Sequence, residues 1–342
     1  MENKPFVSVI VPCRNESKFI EKCLDSIIAQ DYPKDKLEVL VVDGMSEDKT
    51  REIIKEYIEK YPFIRILDNP KKVAPTALNI GIKNASGEVI IRMDAHNTYG
   101  KDYISKCVKY LNEYKVDNIG GIWITLPGND TLIAKSIALT LSHPFGVGNS
   151  YFRRGVEEPK EVDTVPFGCY RREVFEKIGL FNENLIRNQD IEFNLRLKRA
   201  GGKILLVPDI VSYYYARSDL KGLFKQNFWN GFWIIYSLKF AEMPFSIRHL
   251  VPFVFVLSLI GSLIGALFFK SFSYLFLFII LTYLAVNIFF SFKQALKYGL
   301  KYFIPLVLSF STLHFSYGLG SISGVFKLIM PIKEKREDVF PK

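Results

Sequence analysis

The sequence has little with which to build a disulfide framework or a zinc site: its four cysteines, Cys13, Cys23, Cys107 and Cys169, stand apart with no C-x2-C spacing. They read as reduced, packed thiols. Both glycine phosphate loops are also missing. No G-x-G-x-x-G follows the first apolar strand and no G-x-x-x-x-G-K-[ST] occurs anywhere, which removes the dinucleotide and P-loop readings. The net charge is +10, yet lysine and arginine are spread over many segments with no basic arm or recognition helix. That pattern argues against nucleic acid and for a membrane surface as the partner. The opening Met-Glu-Asn-Lys-Pro offers no apolar signal segment, so the expectation is a first domain facing the cytosol.

Charge itself disappears late in the chain. Leu250 to Phe269 and Ser271 to Phe292 are uncharged, and each is long enough to cross a hydrocarbon layer roughly 30 Å thick as a helix. A third run, Tyr302 to Phe326, is uncharged apart from His314 and glycine-rich toward its end; it either spans or breaks and re-enters. Lys221, Lys225, Lys239 and Arg248 precede the first run, and Lys293, Lys297 and Lys301 follow the second, as a cytosolic hairpin of two spans requires. Lys327, Lys333, Lys335 and Arg336 fit that rule only if the third run re-enters. Between the halves, 219–240 mixes Phe224, Phe228, Trp229, Phe232, Trp233 and Tyr236 with lysines, the composition of a helix in the membrane interface or of an aromatic helix packed on a soluble core. The expected organisation is therefore 1–217 catalytic, 218–247 interfacial, 248–326 membrane and 327–342 a charged tail, in a multi-pass protein of the cytoplasmic membrane.

The soluble part alternates strand and helix. Phe6 to Val11, Leu37 to Val42, Phe63 to Leu67 and Glu88 to Met93 read as strands, separated by helices over Ile20 to Ile28, Ser46 to Lys60 and Pro75 to Asn84. This predicts an α/β, doubly wound, Rossmann-like mixed sheet, whose ligands bind beyond the carboxyl ends of the strands. Those ends carry Pro12-Cys13-Arg14-Asn15-Glu16, Asp43-Gly44-Met45-Ser46, Asp68-Asn69 and Asp94-Ala95-His96. A carboxylate and an imidazole at one strand end suit Mn2+ or Mg2+ on a substrate diphosphate; the plainer reading has Asp94 capping a turn and His96 solvated. Further on, a helix over Asp130 to Leu141 and a short strand over Asp163 to Val165 are expected, then Arg187-Asn-Gln-Asp190 opening a helix. There Asp190 and Glu192 favour the helix dipole whether or not they do chemistry.

Taken in order, these segments resemble the family 2 glycosyltransferases of GT-A fold over roughly residues 5 to 215. Val7 to Glu16 is similar to that family's opening strand and loop, and Val41-Val-Asp-Gly-Met-Ser-Glu-Asp to its second, with Gly44 where a second aspartate is common. Ala77-Leu-Asn79, Gly87-Glu88, Asp94-Ala-His96 and Asn188-Gln-Asp190 follow in family order. Arg92-Met-Asp-Ala-His96, Ser142 to Gly148, Asp163 to Gly168 and Arg187 to Asp190 resemble the ExoA-like branch of succinoglycan synthesis.

The resemblance implies a membrane-bound, inverting, metal-dependent hexosyltransferase. It implies a UDP-hexose donor, with glucose expected, held by Pro12, Arg14, Asn15, Glu16, Asp43, Lys72, Asn79 and Asp94. Asp94 and His96 are the implied metal ligands and Asp190 the implied base, with Gly168 and Gln189 beside it on the acceptor side. The implied acceptor is a saccharide on a polyprenyl diphosphate, in exopolysaccharide or cell-envelope glycan synthesis. Two departures stand out: His96 replaces the second aspartate of Asp-x-Asp, and Leu78 stands where many relatives have arginine, which leaves that charge to Lys71 or Lys72. A nucleotidyltransferase or nucleotide-binding membrane module would use the same acidic strand ends, with UDP or NTP bound and no sugar transferred.

Overall fold

A computed structural model describes residues 4–242 and 246–330, so the tail lysines Lys333 and Lys335 and Arg336 lie outside the described residues. The chain forms two units. The first runs to Gly128 and resumes over Leu141–Ala216; the second takes Asn129–Thr140 and the chain from Arg217 onward.

The first unit is a mixed sheet flanked by helices. Its strands are β1 (Val7–Cys13), β2 (Leu37–Asp43), β3 (Ile64–Asp68), β4 (Val89–Arg92), β5 (Asn97–Tyr99), β6 (Asn118–Leu126), β7 (Lys160–Glu161), β8 (Cys169–Arg171) and β9 (Ile204–Tyr215). The order is β3-β2-β1-β4-β8-β6-β9-β5, with β7 on β9. Strands β1 to β4 are parallel; β8 runs against both β4 and β6, so β6 runs with β4, and β9 runs with β6. The carboxyl ends of β1, β2, β3, β4, β6 and β9 therefore share one edge. β1 and β2 are largely apolar and buried because helices cover both of their faces, and Ser8 donates to Glu38 within them at 2.6 Å.

Helices α1 (Ile20–Ile28), α2 (Thr50–Lys60) and α4 (Tyr103–Glu113) pack on one face, where Ile20, Cys23, Leu24, Ile27, Ile54, Ile104 and Cys107 join Val9 and Val41 in one core. Helix α3 (Ala74–Asn84) packs on the other with Leu78 and Ile82. Helix α2 begins four residues later than the apolar spacing suggests. Asp48 Oδ1 accepts from Thr50 N at 3.0 Å and from its hydroxyl, and this side-chain turn occupies the backbone where the helix would otherwise start. The strand expected over Asp163 to Val165 is displaced to Lys160–Glu161, because Pro166 has no N–H to donate and Phe167 and Gly168 both have positive φ, turning the chain away. After β6 come α5 (Leu132–Leu141), α6 (Pro144–Val147) and α7 (Tyr151–Arg154); α8 (Arg172–Ile178) and α9 (Gln189–Arg199) precede β9.

In the second unit α10 (Leu220–Tyr236), capped by Asp219 Oδ1 on Gly222 N at 2.7 Å, lies along α13 (Phe303–Ile329). The glycines that suggested a break in the third apolar run do not interrupt α13. A Cβ at Gly320 would overlap the Phe228 carbonyl and one at Gly324 would meet that of Phe232, so these positions let two backbones touch. With α11 (Ile247–Gly265) and α12 (Lys270–Tyr298), α13 completes three helices long and apolar enough to cross a membrane. Asn287 Nδ2 donates to Val307 O and Ser311 Oγ at 3.1 and 2.9 Å, tying α12 to α13.

Candidate active site

The first two loops at the ligand edge are laced into one surface. Asn15 N donates to Ser46 Oγ and Glu16 N to Thr50 Oγ1, both at 2.8 Å, while Asn15 Oδ1 accepts from Glu47 N at 2.9 Å. Asn15 and Met45 hold positive φ in these loops, as do Lys72, Phe167 and Asn188 in the others, a concentration of strained backbone along one edge. Arg14 is exposed and its side chain lies across Gly44, whose missing Cβ would come within 3.1 Å of it. The departure at Gly44 thus makes room for Arg14. Pro12, at the end of β1, is partly buried beneath them.

Asp43 is fully buried and accepts from Ser46 N at 3.0 Å, from the Ser46 hydroxyl and from Arg51 Nη1 at 2.6 Å. The same guanidinium nitrogen reaches Asp68 Oδ1 at 2.8 Å. Hydrogen bonds from Asp68 and then Asp43 raise the Arg51 pKa, so this bridge between two strand ends stays charged. Burial, followed by the Asp43 charge, pushes the neighbouring Cys13 thiol well up.

Asp94 does not cap a turn with its side chain. Its carboxylate forms a two-point pair with Arg92, Nε to Oδ1 at 2.6 Å and Nη2 to Oδ2 at 2.9 Å, each side chain only 15% exposed. Burial opposes ionisation here, but the Arg92 charge and hydrogen bond, with His96 adding to them, hold the carboxyl below its ordinary range. Burial likewise disfavours the Arg92 cation, and Asp94 and then Asp190 outweigh it. Arg92 is thus the charge that Asp94 and Asp190 share. His96, 46% exposed, has Nδ1 3.4 Å from Glu16 Oε1, which turns a first-strand loop residue toward the fourth strand end.

Gly168, Gln189 and Asp190, expected on the acceptor side, reach this point through backbone. Gly168 O accepts from Arg92 N at 3.1 Å, and a Cβ at Gly168 would overlap the Tyr170 ring, so only glycine fits. Asn188 in the left-handed region starts α9, placing buried Gln189 and then Asp190 in its first turn. Asp190 Oδ1 accepts from Ile191 N at 3.0 Å, and its charge acts on Tyr170 as well as Arg92. Asn79 lies elsewhere. It is buried on α3, donating to Phe181 O and Glu183 Oε1 at 2.9 and 3.1 Å and accepting from Phe181 N at 3.0 Å, and so fastens the loop ahead of α9. Lys71 joins that clasp through Glu183 at 2.6 Å, whereas Lys72 points to Glu47 at 3.6 Å, on the ligand edge. Of the two lysines, Lys72 is the one placed beside the loops that follow β1 and β2.

Among the described residues no three His, Cys, Asp or Glu side chains converge as a metal cage. Magnesium-type ions are commonly held by one or two side chains with substrate phosphates and water completing the shell. Asp94 and His96, with Glu16 behind the imidazole, fit that donor set.

Residues 8–179 match glycosyl transferase family 2. The chain is 35% identical over 263 residues to a dolichyl N-acetyl-alpha-D-glucosaminyl phosphate 3-beta-D-2,3-diacetamido-2,3-dideoxy-beta-D-glucuronosyltransferase of Methanococcus voltae, covering 75% of this chain and 80% of that one. It is 30% identical to the succinoglycan biosynthesis protein ExoA of Rhizobium meliloti (strain 1021), over 71% of this chain and 73% of ExoA. In fold it is similar to a mannosyltransferase of Pyrobaculum calidifontis solved with GDP-Man and Mn2+, with a TM-score of 0.60 at 19% identity, over 97% of this chain and 89% of the other. The sheet and its ligand edge define a GT-A glycosyltransferase domain followed by three apolar helices. The chain belongs to glycosyl transferase family 2 and is a sugar transferase.

Proposed function

We propose that the protein is an inverting transferase, anchored in the membrane by α11 to α13, that moves a hexose from a UDP-sugar to a lipid-linked saccharide. The observation that carries this reading is Arg92, which pairs with Asp94 and also feels the charge of Asp190, so that the proposed diphosphate and acceptor ends of the site flank one fixed cation. The Pro12–Glu16 loop with Arg14, Asn15 and Asp43 takes the uridine and ribose, and Lys72 faces the phosphates. A divalent ion, Mn2+ or Mg2+, held by Asp94 and His96 would neutralise charge on the departing diphosphate.

An acceptor hydroxyl attacks poorly while protonated, so Asp190 takes its proton as the new bond forms. Asp190 is held for that role in the first turn of α9, with Oδ1 accepting from the Ile191 N–H at 3.0 Å. Attack from the face opposite the diphosphate inverts the anomeric centre in one displacement, giving a β-glycoside from an α-linked donor. A lipid-linked acceptor is supported by the Methanococcus voltae relative, whose name gives a dolichyl-phosphate-linked sugar as its acceptor. On this reading the catalytic unit faces the cytosol, where UDP-sugars are made. The test is an Asp190→Asn protein assayed with a panel of nucleotide sugars and lipid-linked acceptors. Transfer should fall about 10²- to 10⁴-fold with UDP affinity retained. Transfer at the wild-type rate would reduce Asp190 to a helix cap.

A further inference from the structure

One stack in the first unit has no part in the chemistry above. The Arg153 guanidinium on α7 lies 4.5 Å from the centroid of Trp123, 5.0 Å from Tyr214 and 5.6 Å from Phe152, and Trp123 stacks on Tyr214 at 4.7 Å and 9°. None of the ion pairs among the described residues includes Arg153. Aromatic faces supply only part of the solvation that a guanidinium loses on burial. The Tyr214 side chain also hydrogen-bonds the guanidinium, but Nη1 is buried without a partner, and so are Trp123 Nε1 and Thr125 Oγ1. Trp123 and Thr125 are two residues apart on β6 and so face the same side. Two orphaned donors therefore lie on one side of β6, and the third belongs to the guanidinium stacked on Trp123, which has no carboxylate paired to it. Native proteins rarely leave such donors unsatisfied.

The location is informative. Through β8, Ile119 of β6 stands level with Ile91 of β4, both opposite Cys169. Trp123 is then four residues past that level and Asp94 three, at the same edge and two strand spacings apart, about 10 Å. Phe167 links the two places: its ring is 5.4 Å from Trp123, and the carbonyl of the next residue, Gly168, holds Arg92 N. Gly148 at φ 58° and Gly155 at φ 81° bracket the α7 segment that carries Arg153.

The structure assigns to Arg153, Trp123 and Thr125 an oxyanion subsite, one sugar length or so from the reacting centre, that reads a charged group on a substrate. This rests on the glycosyltransferase reading and deepens it. Two sources share the chemistry: a phosphate linking the acceptor sugar to its lipid, or the carboxylate of a uronate donor.

The test uses the full chain in detergent micelles and measures binding of two matched pairs, an alkyl N-acetylglucosaminyl phosphate against the neutral alkyl glycoside, and UDP-glucuronate against UDP-glucose. One pair should show a charge preference of about 10- to 100-fold in the wild type, the worth of a charge-assisted hydrogen bond. The pair that shows it identifies the source. Arg153→Gln should bring that ratio near one. Thr125→Val keeps the β-branched shape and removes only an orphaned hydroxyl, a change that is neutral or stabilising if the site is merely packing; here it should lower the same ratio several-fold with Tm unchanged. If neither pair is discriminated, or if both variants leave the ratios within twofold of wild type, the subsite is refuted. Failure of the wild type to bind UDP would instead overturn the UDP-donor reading on which the subsite rests.

Discussion

Replacing Arg92 by methionine isolates the charge on which the site is organised. The side chain keeps much of its volume, so the change is chiefly the loss of a cation beside a carboxylate that is only 15% exposed. Two hydrogen bonds, at 2.6 and 2.9 Å, disappear with it, and Asp94 is left as an uncompensated buried charge. Removing one partner of a buried pair costs about 3–5 kcal/mol, and the residual exposure of this pair places the expectation near 3 kcal/mol. For a unit of about 200 residues that is a fall in melting temperature of roughly 6–12 °C. The pH dependence has a definite sign. In the wild type the Asp94 pKa is depressed, so its contribution is present above the unfolded value and is lost as the pH falls through the lower folded value. In Arg92→Met, burial acts without its counter-charge and raises that pKa, so the deficit is greatest near pH 7 and shrinks on acidification. Arg92→Met/Asp94→Asn should recover at least half of the loss at pH 7. The assay is thermal unfolding of the full chain in micelles between pH 4 and 8. A single variant as stable as wild type, or a double variant no better than the single, would refute the argument that these two charges are coupled.

Other consequences are simpler to read. Gly320→Leu should force α10 from α13 by a clash with the Phe228 backbone, lowering the yield of folded protein in micelles, whereas Gly261→Leu, where a Cβ meets nothing, should be tolerated. Cys13 and Cys23, whose thiols burial pushes up, should resist iodoacetamide at pH 8 in the folded protein and react after denaturation, as mass spectrometry would report; rapid native labelling would contradict their burial. Asn79→Ala removes the clasp on the 181–183 loop that leads to α9, so kcat should fall while UDP affinity holds; a selective loss of UDP affinity would place Asn79 on the donor instead.

The parallel half of the sheet was legible because β1, β2 and β4 are short, largely apolar runs and α1 shows its buried face every three or four residues. The other half was not. β8 is three residues long, and β9 runs through twelve residues with an irregularity opposite Gly121/Ile122, so neither offers a sustained alternation. In the site, the aspartates stood out as acids at strand ends, while their counter-charges did not. Arg92 had a usable signal, since residues i and i+2 of a strand face one side and Asp94 follows it at that interval. Arg51 had none, because its approach to Asp43 and Asp68 depends on where α2 starts, and the Asp48 side-chain turn delays that start. The glycines of α13 suggested a break by composition and proved to be a packing surface, a distinction that only the neighbouring helix makes visible.

The most direct test of the proposed chemistry is the anomeric configuration of the product. The full chain, a UDP-α-hexose, Mn2+ and a lipid-linked saccharide should give a new β-glycosidic linkage by NMR, and Asp190→Asn should give almost none. An α-linked product, or nucleotide turnover with no sugar on the acceptor, would contradict a single displacement assisted by Asp190.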